Sequence, residues 1–311
     1  MKRKYNLALF GAGEMAEKIA EAAIENERLF LYSVASRNVE NAKELSKEYK
    51  IQYVYDCYED MLNDDQIDLV YISTPTRLHY KHIKMCLLAG KNVICEKPFV
   101  ENMVQAEELI ALAKTRELLL IDALWTMYMP IMEQLVKSVD EIGEIKFSTA
   151  SLGYPNISYE ESKIIKVRYD LWDYEVYPLA TTLLLRGEPL NIKSKTKKIQ
   201  NIAVKNKAIL SYEKGISRIR SSLLHRSTYV LFVCGRKGII IARKWWFGRF
   251  PMIVWKYPFN IEVFKFEHAI NGYEYELKEA IYCLDNGLKE SQCYPFERTI
   301  TAAKWAEKLM L

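Results

Sequence analysis

Residues 5–16 read Tyr5-Asn-Leu-Ala-Leu-Phe10-Gly11-Ala-Gly13-Glu14-Met15-Ala16. An apolar run ends in Gly-x-Gly, and Ala16, Ile19, Ala20, Ala23 and Ile24 then recur at helical spacing. The stretch therefore reads as a strand, a glycine turn and a helix over Glu14–Asn26. Gly-x-Gly-x-x-Ala at the first strand–helix turn of a βαβ unit is a dinucleotide-binding fingerprint. Gly11 permits the tight turn, Gly13 lets a diphosphate approach the backbone, and Ala16 keeps the helix close to the sheet. The free N–H groups of the first helical turn and the helix dipole then hold the phosphates. Without that context the same residues form an ordinary strand–helix turn. Glu14 directs its carboxylate to the solvent side.

The alternation continues outward from this turn. Strands are expected at Phe30–Ala35, Ile51–Tyr55, Ile67–Ser73, Asn92–Cys95 and Leu118–Ala123. Helices are expected over Val39–Tyr49, Leu78–Ala89 with Gly90 as its stop, and Val104–Arg116. Strand and helix in turn, with short links, require parallel crossovers and so a doubly wound α/β sheet of Rossmann type. After Trp125 the rhythm changes. Met132–Val139 reads as the end of a helix. Strand patterns then occupy Ile145–Leu152, Ile192–Thr196, Ala203–Tyr212, Ile216–Leu223, Thr228–Cys234, Gly238–Ala242 and Ile261–Phe266, many alternating apolar with polar. Helical patterns fall at Tyr174–Leu185, Tyr273–Asp285 and Glu297–Met310. The second part is therefore an α+β domain with an open, mainly antiparallel sheet and helices on one side. The boundary is drawn at residue 123, giving domains 1–123 and 124–311.

Composition excludes several classes. The 311 residues include 44 Lys and Arg against 40 Asp and Glu, a net charge of +4 that does not point to a dedicated nucleic-acid binder. No apolar run approaches the ~18–20 residues of a membrane span. The start MKRK precedes only a short apolar stretch that ends at Gly11, which argues against a secretory leader. Six cysteines form no Cys-x-x-Cys pair and histidines number four, so neither a disulfide framework nor a zinc site is expected, and a reducing cytoplasm is the default. Lys193–Lys207 holds six lysines, which form either a solvated hairpin face or a polyanion site.

The second strand ends Ala35-Ser36-Arg37, where an NAD-preferring site usually carries an acid about 20 residues beyond the glycine loop. A hydroxyl and a guanidinium suit a 2′-phosphate, so NADP(H) is expected over NAD(H). The alternative is that Arg37 stacks on the adenine of either cofactor. Beyond the fifth strand stands Cys95-Glu96-Lys97-Pro98, at the end of the sheet where such folds bind ligands. Pro98 restricts Lys97 to extended geometry. A lysine alone is ordinarily a solvated charge.

Several segments together carry a resemblance: Phe10-Gly-Ala-Gly, Ser36-Arg37, Ser73-Thr74-Pro75-Thr-Arg-Leu-His79-Tyr, Ala89-Gly-Lys-Asn-Val-Ile-Cys-Glu96-Lys97-Pro98 and Asp122-Ala-Leu-Trp125. In the second half Trp172-Asp173-Tyr-Glu175-Val-Tyr177-Pro178, Gly235-Arg-Lys-Gly238, Gly272-Tyr-Glu-Tyr-Glu276 and Gly287-Leu-Lys-Glu-Ser291 continue it. In this order and spacing the chain resembles the glucose–fructose oxidoreductase/inositol dehydrogenase (Gfo/Idh/MocA) family over essentially its whole length. It is most similar to the branch holding dimeric dihydrodiol dehydrogenase and NADP-linked xylose dehydrogenases.

The resemblance implies an NAD(P)-dependent dehydrogenase or reductase acting on CH–OH groups of a sugar, inositol or trans-diol. It implies that Lys97 lies beside the nicotinamide and hydrogen-bonds the reacting oxygen. Tyr177 serves as general acid/base, alone or with Lys97, and Asp173 orients the lysine or a substrate hydroxyl. Asp173 and Tyr177 stand four apart, on one helical face. Their alternatives are a helix cap and a packed aromatic. Cofactor contacts are implied for Gly11, Gly13, Met15 and Ala16, for Ser36 and Arg37, and for Thr74, Pro75, His79, Glu96 and Lys97. Two readings are open for His79, the cofactor rim or a packing role, and two for Trp125, a pocket wall or the core.

Three departures bear on substrate. Met127 stands where the branch carries Arg, Glu175 where the family motif has Gly, and Lys166–Trp172 replaces a glycine-rich approach. Glu175 either hydrogen-bonds sugar hydroxyls or faces solvent. Two other functions compete: a non-catalytic NADP-binding sensor, and a redox-neutral family member that uses its cofactor transiently, with Glu175 as base. A homodimer or homotetramer through the second domain is expected.

Overall fold

Strand β1 (Tyr5–Phe10) is the apolar run of the fingerprint, and Leu7, Leu9 and Phe10 are fully buried in it. It leads into α1 (Glu14–Ile24), β2 (Leu29–Ala35), α2 (Val39–Tyr49), β3 (Tyr53–Tyr55) and the short α3 (Tyr58–Leu62). Then come β4 (Leu69–Ile72), α4 (His79–Leu88), β5 (Asn92–Glu96), α5 (Met103–Thr115) and β6 (Leu120–Ala123). All six strands pair in parallel, in the order β3-β2-β1-β4-β5-β6. Every residue of β4 is buried, as a strand covered on both faces requires. The strand order reverses between β1 and β4, and ligands of such sheets bind beyond the carboxyl ends at that switch. Local signals set the helix ends. Asn102 caps α5 by accepting the Gln105 N–H at 2.9 Å, and Gly90 takes φ +73° just past α4.

The computed structural model describes residues 3–155, 157–159, 165–167 and 171–310. Helix α6 (Pro130–Ile142) starts with proline at N1, where the missing N–H has no helical partner to lose. It is followed by β7 (Ile145–Gly153), the pair β8 (Ile157–Tyr159) and β9 (Ile165–Val167), and α7 (Trp172–Arg186). Seven further strands follow: β10 (Asn191–Ile199), β11 (Ile202–Ser211), β12 (Ile216–Ser222), β13 (Val230–Gly235), β14 (Gly238–Arg243), β15 (Met252–Lys256) and β16 (Asn260–Phe264). These and β7 make one eight-stranded sheet, β10-β11-β12-β7-β13-β14-β15-β16, in which only β7 and β12 pair in parallel. Ile219, Ala150, Leu231, Ala242 and Met252 lie opposite one another across five strands, and all are buried. Helix α7 covers β7 and β12, and α6 covers β13, β14 and β15. The expected open sheet with helices on one side is what the structure contains.

The chain ends in α8 (Glu274–Asp285) and α9 (Phe296–Met310). Here the expected division at residue 123 needs correction. One unit comprises Met1–Tyr128 and Ala269–Ile300, the other Met129–His268 and Thr301–Leu311. Helix α8 buries Glu276, Leu277, Ala280 and Ile281 within the first unit, packed on α1 and on the turn Trp125–Tyr128. A helical period gives the apolar face but not the unit that face packs on. The six lysines fall on the β10–β11 hairpin, where Lys195 opposes Lys207 and Lys197 opposes Lys205. Most of them are exposed, as a solvated face requires. Among the described residues no helix is long and apolar enough to cross a membrane.

Candidate active site

The glycine turn closes β1 onto α1. Gly11 takes φ +114°, and a Cβ there would meet Ser73 Oγ at 3.0 Å. Only glycine fits that position without strain. Gly13 is the N-cap of α1 in extended conformation, and a Cβ added to it meets nothing within 4 Å. The N-cap Gly13 has no side chain to cap the first turn of α1. Open space in front of Gly13 and a glycine at the N-cap are the conditions that a diphosphate needs, so the turn fits the dinucleotide expected of it. Ala16 is fully buried beneath, and Glu14 turns outward to pair with Lys18 at 3.1 Å.

At the end of β2, Ser36 Oγ accepts the Asn38 N–H at 3.2 Å, and Arg37 is exposed. Beside them Tyr58 of α3 stacks on Phe10 with ring centroids 3.8 Å apart. Burial raises the Tyr58 phenol pKa, and the nearby Arg37 guanidinium counteracts this. Thr74 Oγ1 lies 2.8 Å from His82 Nδ1, and burial lowers the His82 pKa to about 4, so the ring is neutral. Pro75 is exposed. The Met15 sulfur lies 4.0 Å from the Tyr273 hydroxyl.

Lys97 follows β5 and is half-buried, with its peptide bond to Pro98 cis. His79 ties this turn to the β4–α4 turn: its ring nitrogens lie 2.7 Å from the Thr74 carbonyl and 2.9 Å from the Pro98 carbonyl. Behind Lys97 is a buried acid cluster. Tyr71 Oη lies 2.9 Å from Glu96 Oε1 and 2.6 Å from Glu276 Oε1. Glu96 Oε2 accepts the Lys97 backbone N–H at 3.1 Å. Asp122 accepts the Thr299 hydroxyl at 3.1 Å, and burial raises its pKa to about 7. Trp125 is buried and stacks on Tyr273, with centroids 4.7 Å apart and planes 14° from parallel, and Met127 is buried next to it in sequence.

In the second unit, α7 carries Asp173, Glu175 and Tyr177. Pro178 stands inside this helix and Thr182 donates to its carbonyl at 2.7 Å, so the helix continues through the proline. Leu171 is the N-cap, so capping is not the role of Asp173. Asp173 is half-buried and Tyr177 buried. Residues 168–170 of the segment before α7 lie outside the described residues.

A family model described as "Oxidoreductase family, NAD-binding Rossmann fold" matches residues 5–123. Trans-1,2-dihydrobenzene-1,2-diol dehydrogenase of Xenopus laevis is 30% identical over 283 residues, 83% of this chain and 82% of that protein. The chain belongs to the Gfo/Idh/MocA oxidoreductase family. Its first unit holds the family's NAD-binding Rossmann domain, and the chain is an oxidoreductase. The scyllo-inositol 2-dehydrogenase (NADP(+)) IolU of Bacillus subtilis is 26% identical over 312 residues, 97% of this chain and 94% of that one. Among solved structures, KijD10, a 3-ketoreductase from Actinomadura kijaniata, shares the fold at TM-score 0.87 and 22% identity, covering 99% of this chain and 97% of its own.

Within this family member three expected site residues are deeply buried. Glu175 is 2% exposed, and its carboxylate accepts from the Asn206 side chain of β11. Two residues along a helix is a turn of about 200°, which sets Glu175 opposite the face of Asp173 and Tyr177. His79 is 1% exposed, with its ring nitrogens next to the Thr74 and Pro98 carbonyls, so its side chain packs inside the β4–α4 turn. Glu96 turns its carboxylate inward to Tyr71. The sequence reading missed Tyr71, Glu276, Tyr58 and His82. Glu276 stood inside a family segment, and Tyr71 carries a hydroxyl in the middle of the run Ile67–Ser73, which reads as a buried strand.

Proposed function

We propose that this oxidoreductase is NADP(H)-linked and moves a hydride to or from the carbinol carbon of a polyhydroxylated small molecule, a sugar, an inositol or a trans-diol. The observation that carries the reading is Lys97, half-buried at the carboxyl end of β5 in a turn pinned by His79, in the same unit as the open glycine turn. When bound, the nicotinamide supplies the hydride acceptor or donor. Gly11, Gly13 and the first turn of α1 hold the diphosphate, and Ser36 and Arg37 hold the 2′-phosphate. The Lys97 ammonium hydrogen-bonds the reacting oxygen and stabilises the charge that develops on it. Tyr177 exchanges the proton with that oxygen, and Asp173, one turn earlier on α7, orients the lysine or a substrate hydroxyl. Trp125, held flat against Tyr273, walls the pocket. The NADP(+) in the name of the inositol dehydrogenase relative supports the cofactor preference. The redox-neutral alternative loses its proposed base, because Glu175 is buried against Asn206.

The protein works as a homodimer or homotetramer in a reducing compartment, the cytoplasm. Phe232, Ile241, Ile253 and Val263 oppose one another across β13–β16, and Ile239, Trp255 and Ile261 form the row beside them. Ile253 and Trp255 are each 40% exposed and Ile261 63%, so this sheet face suits a second copy of itself. All six cysteines are free thiols. The test is to mix the protein with NADP⁺ and a panel of sugars, inositols and trans-diols and follow reduced-nicotinamide absorbance. Lys97→Met is expected to bind NADPH normally and to lose turnover by at least 10²-fold, in line with the loss of an electrostatic donor. Retained turnover would remove Lys97 from the mechanism.

A further inference from the structure

If Lys97 holds the reacting oxygen, as proposed for this oxidoreductase, its charge governs the reaction, and the roles of its buried neighbours rest on that reading. Tyr71 has one hydroxyl proton and stands between two buried carboxyl groups, at 2.9 Å from Glu96 and 2.6 Å from Glu276. A phenol donates to only one acceptor at a time. With both carboxyls ionised, the second contact would set acceptor against acceptor where water is excluded. One carboxyl therefore carries a proton. The surroundings decide which. Glu96 has the Lys97 N–H on Oε2 at 3.1 Å and the Lys97 charge beside it. Glu276 Oε2 has no donor among the described residues.

We infer that Glu276 and Tyr71 are positioning residues: neutral Glu276 donates to the Tyr71 hydroxyl, Tyr71 donates to Glu96, and Glu96 is thereby held as the anion that keeps Lys97 an ammonium. Burial raises the pKa of both carboxyls, and Lys97 counteracts it only at Glu96. The titratable groups around the pair are Tyr71 from β4, Cys95 from β5, Asp122 from β6, Lys18 from α1, Tyr128 from the turn before α6, Tyr273 at the start of α8, and Lys97 itself. Asp122 interacts with both carboxyls, and in its ionised form it disfavours a charge on either, so it adds to the reasons for one of them to stay neutral. Glu276 is aimed by Glu274, whose carboxylate accepts the Ile270, Asn271 and Gly272 N–H groups at 3.1, 3.2 and 2.6 Å and so fixes the entry to α8.

The test reads the Lys97 amine directly. Competitive acetylation with acetic anhydride across pH, quantified on the Lys97 peptide by mass spectrometry, gives its titration midpoint. In Tyr71→Phe, Glu96 loses its donor and takes up a proton from solvent, and Lys97 loses its counter-ion. The midpoint is expected to fall by about one pH unit or more in Tyr71→Phe and in Glu276→Ala. Glu276→Gln, whose amide donates as the neutral acid does, is expected to restore the wild-type midpoint. An unchanged midpoint in folded Tyr71→Phe, or no restoration by Gln, overturns the inference. Infrared difference spectra at neutral pH provide a second measurement. The stretch of a buried neutral carboxyl should vanish in Glu276→Gln and persist in Glu96→Gln, and the opposite result also overturns it. If Glu276→Ala does not fold, Tyr71→Phe and the infrared pair carry the test. None of these readouts uses turnover, so their failure is distinct from a failure of Lys97→Met to lose activity.

Discussion

Glu175→Gln should stabilise the protein at neutral and alkaline pH but not in acid. Glu175 is almost wholly buried, and its Oε1 has no hydrogen-bond donor among the described residues. Asn206, which donates to the carboxylate, also leaves its own buried Oδ1 without a partner among the described residues. Burial raises the Glu175 pKa from 4.5 to about 8. The folded state then binds this proton more tightly than the unfolded chain does. The stabilisation from that proton is complete below about pH 4.5 and is lost as pH rises to about 8. Each pH unit inside that window costs about 1.4 kcal/mol, so the interval from pH 6 to 8 costs roughly 2–3 kcal/mol. Glutamine has no such titration. Thermal unfolding of both proteins at pH 6 and pH 8 measures the effect, and the gap between them should widen by roughly 3–5 °C at the higher pH. Other titrating groups, such as Asp122 with its pKa near 7, are common to both proteins and cancel in the comparison. A gap equal at the two pH values would refute the assignment of a buried proton to Glu175.

The two glycines of the turn should separate fold from ligand. Gly13→Ala meets open space, so its melting temperature should stay near wild type, within about 0.5 kcal/mol, while fluorescence titration shows NADPH binding weakened at least about tenfold. Gly11→Ala must adopt φ +114° against Ser73, so it should lose stability by about 1 kcal/mol or more in the same melts. Arg37→Ala should weaken NADPH binding by about 10- to 100-fold, the loss of a charged hydrogen bond, and leave NADH nearly unchanged; equal losses for both would favour adenine stacking. Ile253→Glu with Trp255→Glu should convert the oligomer to monomer by size-exclusion with light scattering, and a monomeric wild type would remove the proposed interface.

The Rossmann half was legible because its signals are local. An apolar run, a glycine pair and a helical period fix each βα unit within about 15 residues, and strand order follows from crossover rules. The second sheet was legible in outline for the same reason, since Ile261-Glu-Val-Phe alternates visibly. What escaped was short or crowded. Helix α3 has five residues, too few for a period, and β15 follows the aromatic cluster Trp245-Trp-Phe, whose side chains blur the alternation. The site divided along the same line. Gly11, Gly13 and Lys97 are set by the chain near them. Glu276 meets Tyr71 across 205 positions, and only the packing of α8 into the first unit brings them together. Residue 175 points away from 173 and 177 on any helix, yet the sequence reading offered Glu175 only sugar hydroxyls or solvent, and neither is the buried contact with Asn206.

Two buried glutamates with raised pKa values thus have different fates. Both resist ionisation because burial penalises their charge. Around Glu276 the proton has somewhere to act: a phenol 2.6 Å away relays its donation to Glu96, whose other oxygen meets the Lys97 segment. Around Glu175, among the described residues, the Asn206 amide is the hydrogen-bond partner, and Glu175 Oε1 and Asn206 Oδ1 are left without one. A buried acid that completes a hydrogen-bond chain fixes the charge of its neighbours, while one that ends in unpaired oxygens only costs stability. Infrared bands should therefore respond differently to Tyr71→Phe: the Glu276 carboxyl stretch shifts as its acceptor is lost, and the Glu175 stretch stays where it was. A shift of both, or of neither, would show that the two protons do not sit where this contrast requires.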